Sequence, residues 1–201
     1  MSEGPSDEQL EAEWMEAICE GDRRAYQAVV DRHCQAISHY TFRMLGNQSD
    51  AEDITQETFL RLWLKADKWQ ASKAKLTTWL HRIAHNLCID FMRKHSRMQQ
   101  LDEHEEPDTE TQIAWQGVEQ ASNAIDANED ERLALLNAAV AELPEAQRSA
   151  LMLCTFSGFS NQEAADIMSI SVKALESALA RARRNLRSAL FTENDTALDS
   201  G

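Results

Sequence analysis

Apolar residues recur along this chain mainly at three- and four-residue intervals, and that period predicts helices. Leu10, Trp14 and Ile18 mark a first helix that stops at Gly21. A longer one carries Tyr26, Val29, Val30, His33, Ile37, Tyr40, Met44 and Leu45 and ends at Gly46-Asn47. Ser49 with Glu52 reads as a capping box that opens a third helix bearing Ile54, Thr58, Phe59, Leu62 and Trp63. After a polar, Lys-containing loop around Trp69 to Lys75 comes a fourth, with Trp79, Leu80, Ile83, Ala84, Leu87, Cys88, Phe91 and Met92.

The pattern breaks between about Gln99 and Asn128. The only large apolar residues there are Leu101, Ile113, Trp115, Val118 and Ile125, so this stretch reads as a linker with at most one transient helix near Ile113 to Ile125. The periodicity then returns. Leu133, Leu136, Val140 and Leu143 lead to Pro144, which suits the first turn of a helix through Leu151 to Phe156 and Gly158. Ser160 with Glu163 caps a short helix, Ser169-Ile170-Ser171 makes a turn, and Ser171 caps a last helix from Val172 to about Leu190. A short helix, a tight turn and a longer basic helix read as helix-turn-helix, although this turn has no Gly. The expected fold is all-α: two small helical domains joined by an acidic flexible linker, the second containing the helix-turn-helix. Boundaries fall at 7–98, 99–129 and 130–191, with a disordered tail over 192–201.

Charge sharpens the division. The chain of 201 residues carries a net charge of −14, which on its own argues against nucleic acid. Yet eleven carboxylates and no Lys or Arg lie between Leu101 and Glu131, so the acidity is local. Nine basic residues against two acidic ones lie between Arg61 and Arg97, and five against Glu176 alone between Lys173 and Arg187. On the last helix Lys173, Ser177, Arg181, Arg184 and Arg187 lie on or near the side away from the apolar stripe. Cations there neutralise phosphates, and Ser and Arg reach base edges in a major groove. A solvated basic face is the plainer alternative. Trp69, Trp79 and Phe91 sit among Lys68, Lys73, Lys75, Arg82, Arg93 and Lys94, a mixture suited to single-stranded DNA. Helical spacing puts Trp79 and Phe91 with the core, which leaves Trp69, at the edge of its loop, as the stacking candidate. Asp53, Gln56, Glu57 and Arg61 form a dense polar face on the third helix, suited to solvent or to a large protein partner.

Other chemistry is scarce. Cys19, Cys34, Cys88 and Cys154 form no C-x-x-C pair and read as reduced thiols. His81, His85 and Cys88 share a helical face but lack a fourth ligand, so a buried Cys88 beside two polar-face histidines is the simpler reading, and no metal or cofactor is expected. No nucleophile-base pair or Gly-rich phosphate loop points to an enzyme. No apolar run is long enough to span a bilayer, and Met1 to Gln9 lacks a signal-peptide pattern, so a cytoplasmic protein without membrane insertion is expected.

The stretch Asp50-Ala-Glu-Asp-Ile-Thr-Gln-Glu-Thr-Phe-Leu-Arg-Leu-Trp63, followed by Thr77-Thr-Trp-Leu-His-Arg-Ile-Ala-His-Asn86, resembles region 2 of sigma factors of the extracytoplasmic-function type. Leu143-Pro-Glu-Ala-Gln-Arg-Ser-Ala-Leu151, Gly158-Phe-Ser-Asn-Gln-Glu-Ala-Ala165 and Ala180-Arg-Ala-Arg-Arg-Asn-Leu-Arg187 resemble region 4 of the same group. The resemblance covers roughly residues 10 to 190. It implies an alternative sigma factor that binds core RNA polymerase and directs promoter recognition, DNA melting and transcription initiation. By the same resemblance Asp53, Gln56, Glu57 and Arg61 grip the β′ clamp helices. Ala66, Trp69, Ile83, Asn86 and Asp90 read and open the −10 element around a flipped base. Lys173, Glu176, Ser177, Ala180, Arg181 and Arg184 face the −35 element. The polymerase β flap and an anti-sigma factor are further implied partners, and the acidic linker would thread the cationic RNA exit path. Many members of that family carry Arg or Lys where this chain has Glu176, and often a second Arg at Ala178. The rival readings are a stand-alone helix-turn-helix regulator, which would bind duplex DNA unaided as a dimer, and a sequestering decoy, which would not need the basic last helix.

Overall fold

The computed structural model describes the backbone of residues 6–102 and 135–198, and the side chains of 6–98 and 135–189. Helices and turns account for these residues, with no strand among them. They fall into two compact units, one built from α1 to α4 and the other from α5 to α8. The segment expected to be the linker lies almost wholly outside the described residues.

In the first unit α1 (Asp7–Cys19) starts at Ser6, whose side chain accepts from the Gln9 amide while Gln9 bonds back to the Ser6 amide. Its buried stripe is Glu11, Met15 and Ile18, with Leu10 and Trp14 only half-buried, so the helix sits one residue round from the expected setting. The cause is polar. Glu11 Oε1 lies 3.2 Å from His33 Nε2 and 3.3 Å from Arg32 Nε on α2 (Arg23–Leu45), and Arg32 also pairs with Asp7 at 2.7 Å. Arg32 further stands 5.9 Å from the Trp14 ring.

Gly46, at φ 72°, closes α2, and α3 (Gln48–Lys65) follows after one residue. Asn47 therefore precedes the helix and Ser49 falls inside it, two residues too late to cap. α3 meets α2 through a buried pair of hydroxyls, and two threonines bond back within α3. Thr41 Oγ1 lies 2.9 Å from Thr55 Oγ1, Thr55 donates to the Ala51 carbonyl at 2.7 Å and Thr58 to that of Ile54 at 2.8 Å. All three threonines are buried and hydrogen-bonded, as burial requires. A 3-10 turn (Ala66–Lys68) leads into a loop and then α4 (Leu76–Asp102), which packs along α2. Leu76, Leu80, Ala84 and Cys88 are fully buried at helical spacing.

The second unit begins with helical residues 135–141 (α5). Pro144, with φ −51° and ψ 142°, is the N-cap rather than the first turn of α6 (Glu145–Leu151), which runs on as a π-helical turn over Met152–Phe156. Arg148 reaches back from α6, donating through Nη2 to the carbonyls of Ala141 and Leu143 and so closing the end of α5. Burial lowers its pKa, against the pull of Glu142 and Glu145. Arg148→Ala strands those carbonyls and is expected to cost about 1–3 kcal/mol, seen as an earlier thermal transition of the second unit in far-UV circular dichroism. An unchanged transition would show that water caps α5 equally well.

α7 (Asn161–Met168) opens on the expected box, with the Glu163 amide donating to Ser160 Oγ and the Ser160 amide to Glu163 Oε2. The missing turn glycine is replaced by Ser169, which itself takes the left-handed conformation at φ 55°. Ser171 then caps α8 (Val172–Leu198) by accepting from the Ala174 amide at 3.2 Å. α8 packs on α6 and α7 through Leu175, Ala178, Leu179 and Ala182. It continues through the segment expected to be a disordered tail as far as Leu198, since no Pro or Gly intervenes to stop it.

Candidate functional site

Three surfaces gather the residues singled out from the sequence. On α3, Asp53 and Gln56 are exposed, and Glu57 and Arg61 are half-buried and paired at 2.8 Å. Two residues that sequence reasoning passed over share this face. Leu60 is 49% exposed and Leu64 65% exposed, while Ile54, Thr55, Thr58, Phe59 and Leu62 turn inward. The clue was available: at positions i and i+4, Leu60 and Leu64 fall outside the 54/58/62 stripe that the periodicity defines. Leucines one turn apart, bordered by charged and amide groups, form an apolar contact strip with a polar rim.

The second surface runs from the loop into α4. Trp69 is half-buried, and its indole N–H donates to the Ala74 carbonyl at 3.1 Å, so the ring pins the loop to itself. Backbone bonds from Lys73 and Ala74 to Gln70 tighten the same loop. Ala66 is buried under the turn, which leaves its side chain to anchor the loop rather than touch a ligand. Ile83 and Trp79 are half-buried, and Asn86 and Asp90 are exposed. Arg82, Asn86, Asp90, Arg93 and Arg97 line up at three- and four-residue intervals as an exposed, mainly basic stripe. Phe91, placed with the core by its spacing, is only half-buried and stacks on exposed His95 with centroids 4.3 Å apart.

Behind that stripe lies a feature that spacing had assigned differently. His81 and His85, expected on the polar face beside buried Cys88, are themselves buried, as is His33. Tyr40 on α2 meets His85 Nδ1 at 3.0 Å and sets its ring edge against His81 at 5.5 Å between centroids. His81 Nδ1 donates to the Thr77 carbonyl at 2.8 Å. A buried tyrosine hydroxyl needs an acceptor, and neutral His85 Nδ1 supplies it. Burial drives His33 and His85 down to about 4, and Arg32 and Arg93 add to the effect. Burial also lowers His81 and pushes the Cys88 thiol up to about 12. His81 and His85 are neutral hydrogen-bonding core groups, and no three His, Cys, Asp or Glu among the described residues are arranged to hold a metal.

The third surface is α8. Lys173, Glu176, Ser177, Ala180, Arg181 and Arg184 are all exposed, opposite the buried Leu175, Ala178, Leu179 and Ala182. Ala178 faces inward. Ser177 Oγ is turned back onto the Lys173 carbonyl at 2.9 Å. No helix of the described residues is long and apolar enough to cross a membrane.

Residues 29–98 match the family model for sigma-70 region 2, and residues 133–186 match that for sigma-70 region 4. The ECF RNA polymerase sigma factor SigE of Mycolicibacterium smegmatis is 32% identical over 187 residues, covering 91% of this chain and 68% of that protein. SigW of Bacillus subtilis, another ECF RNA polymerase sigma factor, is 33% identical over 180 residues, covering 86% and 92%. Among solved structures, CnrH in complex with the cytosolic domain of CnrY superposes with a TM-score of 0.66 at 23% identity, covering 94% of this chain and 99% of that one. The sigma factor RpoE of Bartonella quintana, in complex with the anti-sigma factor NepR, gives 0.64 at 24% identity, with 82% and 96% covered. These two share the fold.

Two sigma-70 regions in order, each on its own helical unit, define the class. The chain belongs to the extracytoplasmic-function (ECF) RNA polymerase sigma factors. Its function is that of an alternative sigma factor, which directs RNA polymerase to promoters and to the initiation of transcription there.

Proposed function

We propose that the three surfaces divide the work of initiation between them. The α3 face, with Asp53, Gln56, Glu57 and Arg61 around Leu60 and Leu64, docks on the β′ clamp helices of core polymerase. The loop held by Trp69 and the α4 stripe at Ile83, Asn86 and Asp90 take the −10 element. Its cations follow the strand backbone, and Asn86, with both a donor and an acceptor, addresses the extruded base. Ala66 and the Trp69 indole N–H shape this loop from within. The exposed face of α8 lies in the major groove of the −35 element, and its own unit meets the β flap. The acidic stretch between the units threads the RNA exit path. The factor works in the cytoplasm without catalysis of its own. A partner of the anti-sigma kind holds it when it is not needed, by analogy with the NepR complex.

The observation that carries this reading is the segregation of side chains. On each of α3, α4 and α8 the residues expected to meet a partner stand outward, or half-outward, along one side, while most of the intervening apolar ones are buried. Transcription from a promoter library by core polymerase tests it. Specific starts are expected only when this protein is added. Asn86→Ala should keep polymerase binding while reducing permanganate reactivity of the −10 thymines by about tenfold or more, the loss of one base-edge contact. Binding of duplex DNA by the protein alone, with no effect on polymerase, would favour the helix-turn-helix regulator.

A further inference from the structure

The exposed face of α8 carries one residue that phosphate binding does not explain. Glu176 stands on the second turn between Lys173 and Ala180, solvent-exposed, and it joins no hydrogen bond or ion pair among the described residues. It lies beyond the first turn, where a carboxylate gains most from the helix dipole. A negative charge set on a groove-facing surface is repelled by two phosphate strands unless a donor meets it. Its neighbours on that face do not meet it: Lys173, one turn earlier, forms no ion pair with it, Ser177 has its hydroxyl on the Lys173 carbonyl, and Ala180 has no polar side-chain atom.

The donors that a major groove presents to a carboxylate are exocyclic amino groups. Guanine shows N7 and O6, and thymine shows O4 and a methyl group, so both reject a carboxylate. Adenine offers its N6 amino group but sets the N7 acceptor beside it, against the second carboxylate oxygen. Cytosine offers its N4 amino group next to an apolar C5–H edge. We infer that Glu176 is a specificity-determining residue that reads a cytosine in the −35 element by accepting from its N4 amino group. The inference rests on the placement of α8 in that element's major groove.

Transcription by core polymerase with this protein, from a library randomised across the −35 region, tests both. The wild type should enrich cytosine over other bases at one position by about 5-fold to about 100-fold, the range for one good base contact. Glu176→Ala and Glu176→Gln should lose that preference and keep the others. Glu176→Lys should move it to guanine, whose N7 and O6 accept from Lys. Because Glu176 is exposed and makes no internal contact, these variants should match the wild type in circular dichroism. An unchanged preference in Glu176→Ala overturns the inference. So does adenine at that position, or a Glu176→Lys variant that is uniformly more active with no change of base, which would mark simple phosphate repulsion. Arg181→Ala with Arg184→Ala separates the two levels. If that pair abolishes −35 dependence while Glu176→Ala changes nothing, only the Glu176 inference fails. If the pair also leaves −35 dependence intact, the placement of α8 fails with it.

Discussion

Acidification from pH 7.5 to pH 5 is expected to remove roughly 4 kcal/mol from the stability of the first unit and to leave the second almost untouched. His33 and His85 have folded-state pKa values of about 4, below the usual 6.5. Below pH 6.5 the unfolded chain therefore binds protons that the folded unit refuses. Their contribution is complete above 6.5 and drains away as pH falls towards 4. At pH 5 each imidazole accounts for roughly 2 kcal/mol. His81 shifts in the same direction. The groups facing the cluster are Glu11 and Asp7 from α1, Arg32 and Tyr40 from α2, and Cys88 and Arg93 from α4. Glu11 opposes the trend, since its carboxyl is raised by burial and takes up a proton earlier when folded, returning part of the loss.

Intrinsic fluorescence isolates the effect. Four of the five tryptophans, Trp14, Trp63, Trp69 and Trp79, lie in the first unit, and residues 135–201 contain neither Trp nor His. The urea midpoint by tryptophan fluorescence should fall steeply between pH 6.5 and pH 5. The double variant His33→Gln, His85→Asn should be weaker at pH 7.5 yet show a much flatter pH profile, because its amides do not titrate in this range. A wild-type midpoint that stays level from pH 7.5 to pH 5 would show that these histidines are not held neutral by the fold.

The second large effect concerns α3. Leu60→Ala with Leu64→Ala should weaken binding to core polymerase by about 2–3 kcal/mol, a rise in Kd of roughly 100-fold, if both side chains are buried in the complex. Neither leucine supports the core, so the thermal transition should hold within about a degree. Asp53→Ala with Gln56→Ala should have the smaller and more salt-dependent effect expected of a polar rim. Competition for core polymerase against a labelled sigma factor measures both pairs. Wild-type affinity in the leucine variant would remove α3 from the interface or leave its contacts wholly polar.

Much of this was legible beforehand. The order of helices, the long α2, the cap at Ser160 and Glu163, the turn before α8 and the outward set on α8 follow from apolar spacing and capping chemistry, which are local. What escaped depends on partners distant in sequence. Glu11 is buried because Arg32 and His33 wait on another helix. His81 and His85 turn inward because Tyr40 supplies a hydrogen bond and a ring. Spacing alone places a histidine with the polar residues, since it does not know what lies opposite. Leu60 and Leu64 show the reverse error, in which apolar character hides exposure. The interruption of α6 by a π turn has no signature in its sequence, and we have no physical account of it.

The hydroxyls of Thr41 and Thr55 carry a consequence for engineering. The 2.9 Å bond between them crosses from α2 to α3 and, unlike hydrocarbon contacts, tolerates little rotation, so it helps set the angle at which α3 presents its outer side. Aim and content are thereby separated: one set of residues points the helix, and another decides what it greets. New partner preferences can be written on the outer positions of α3 alone, provided those two threonines are kept. Exchanging them for valines of the same shape would leave the written face intact and let it swing.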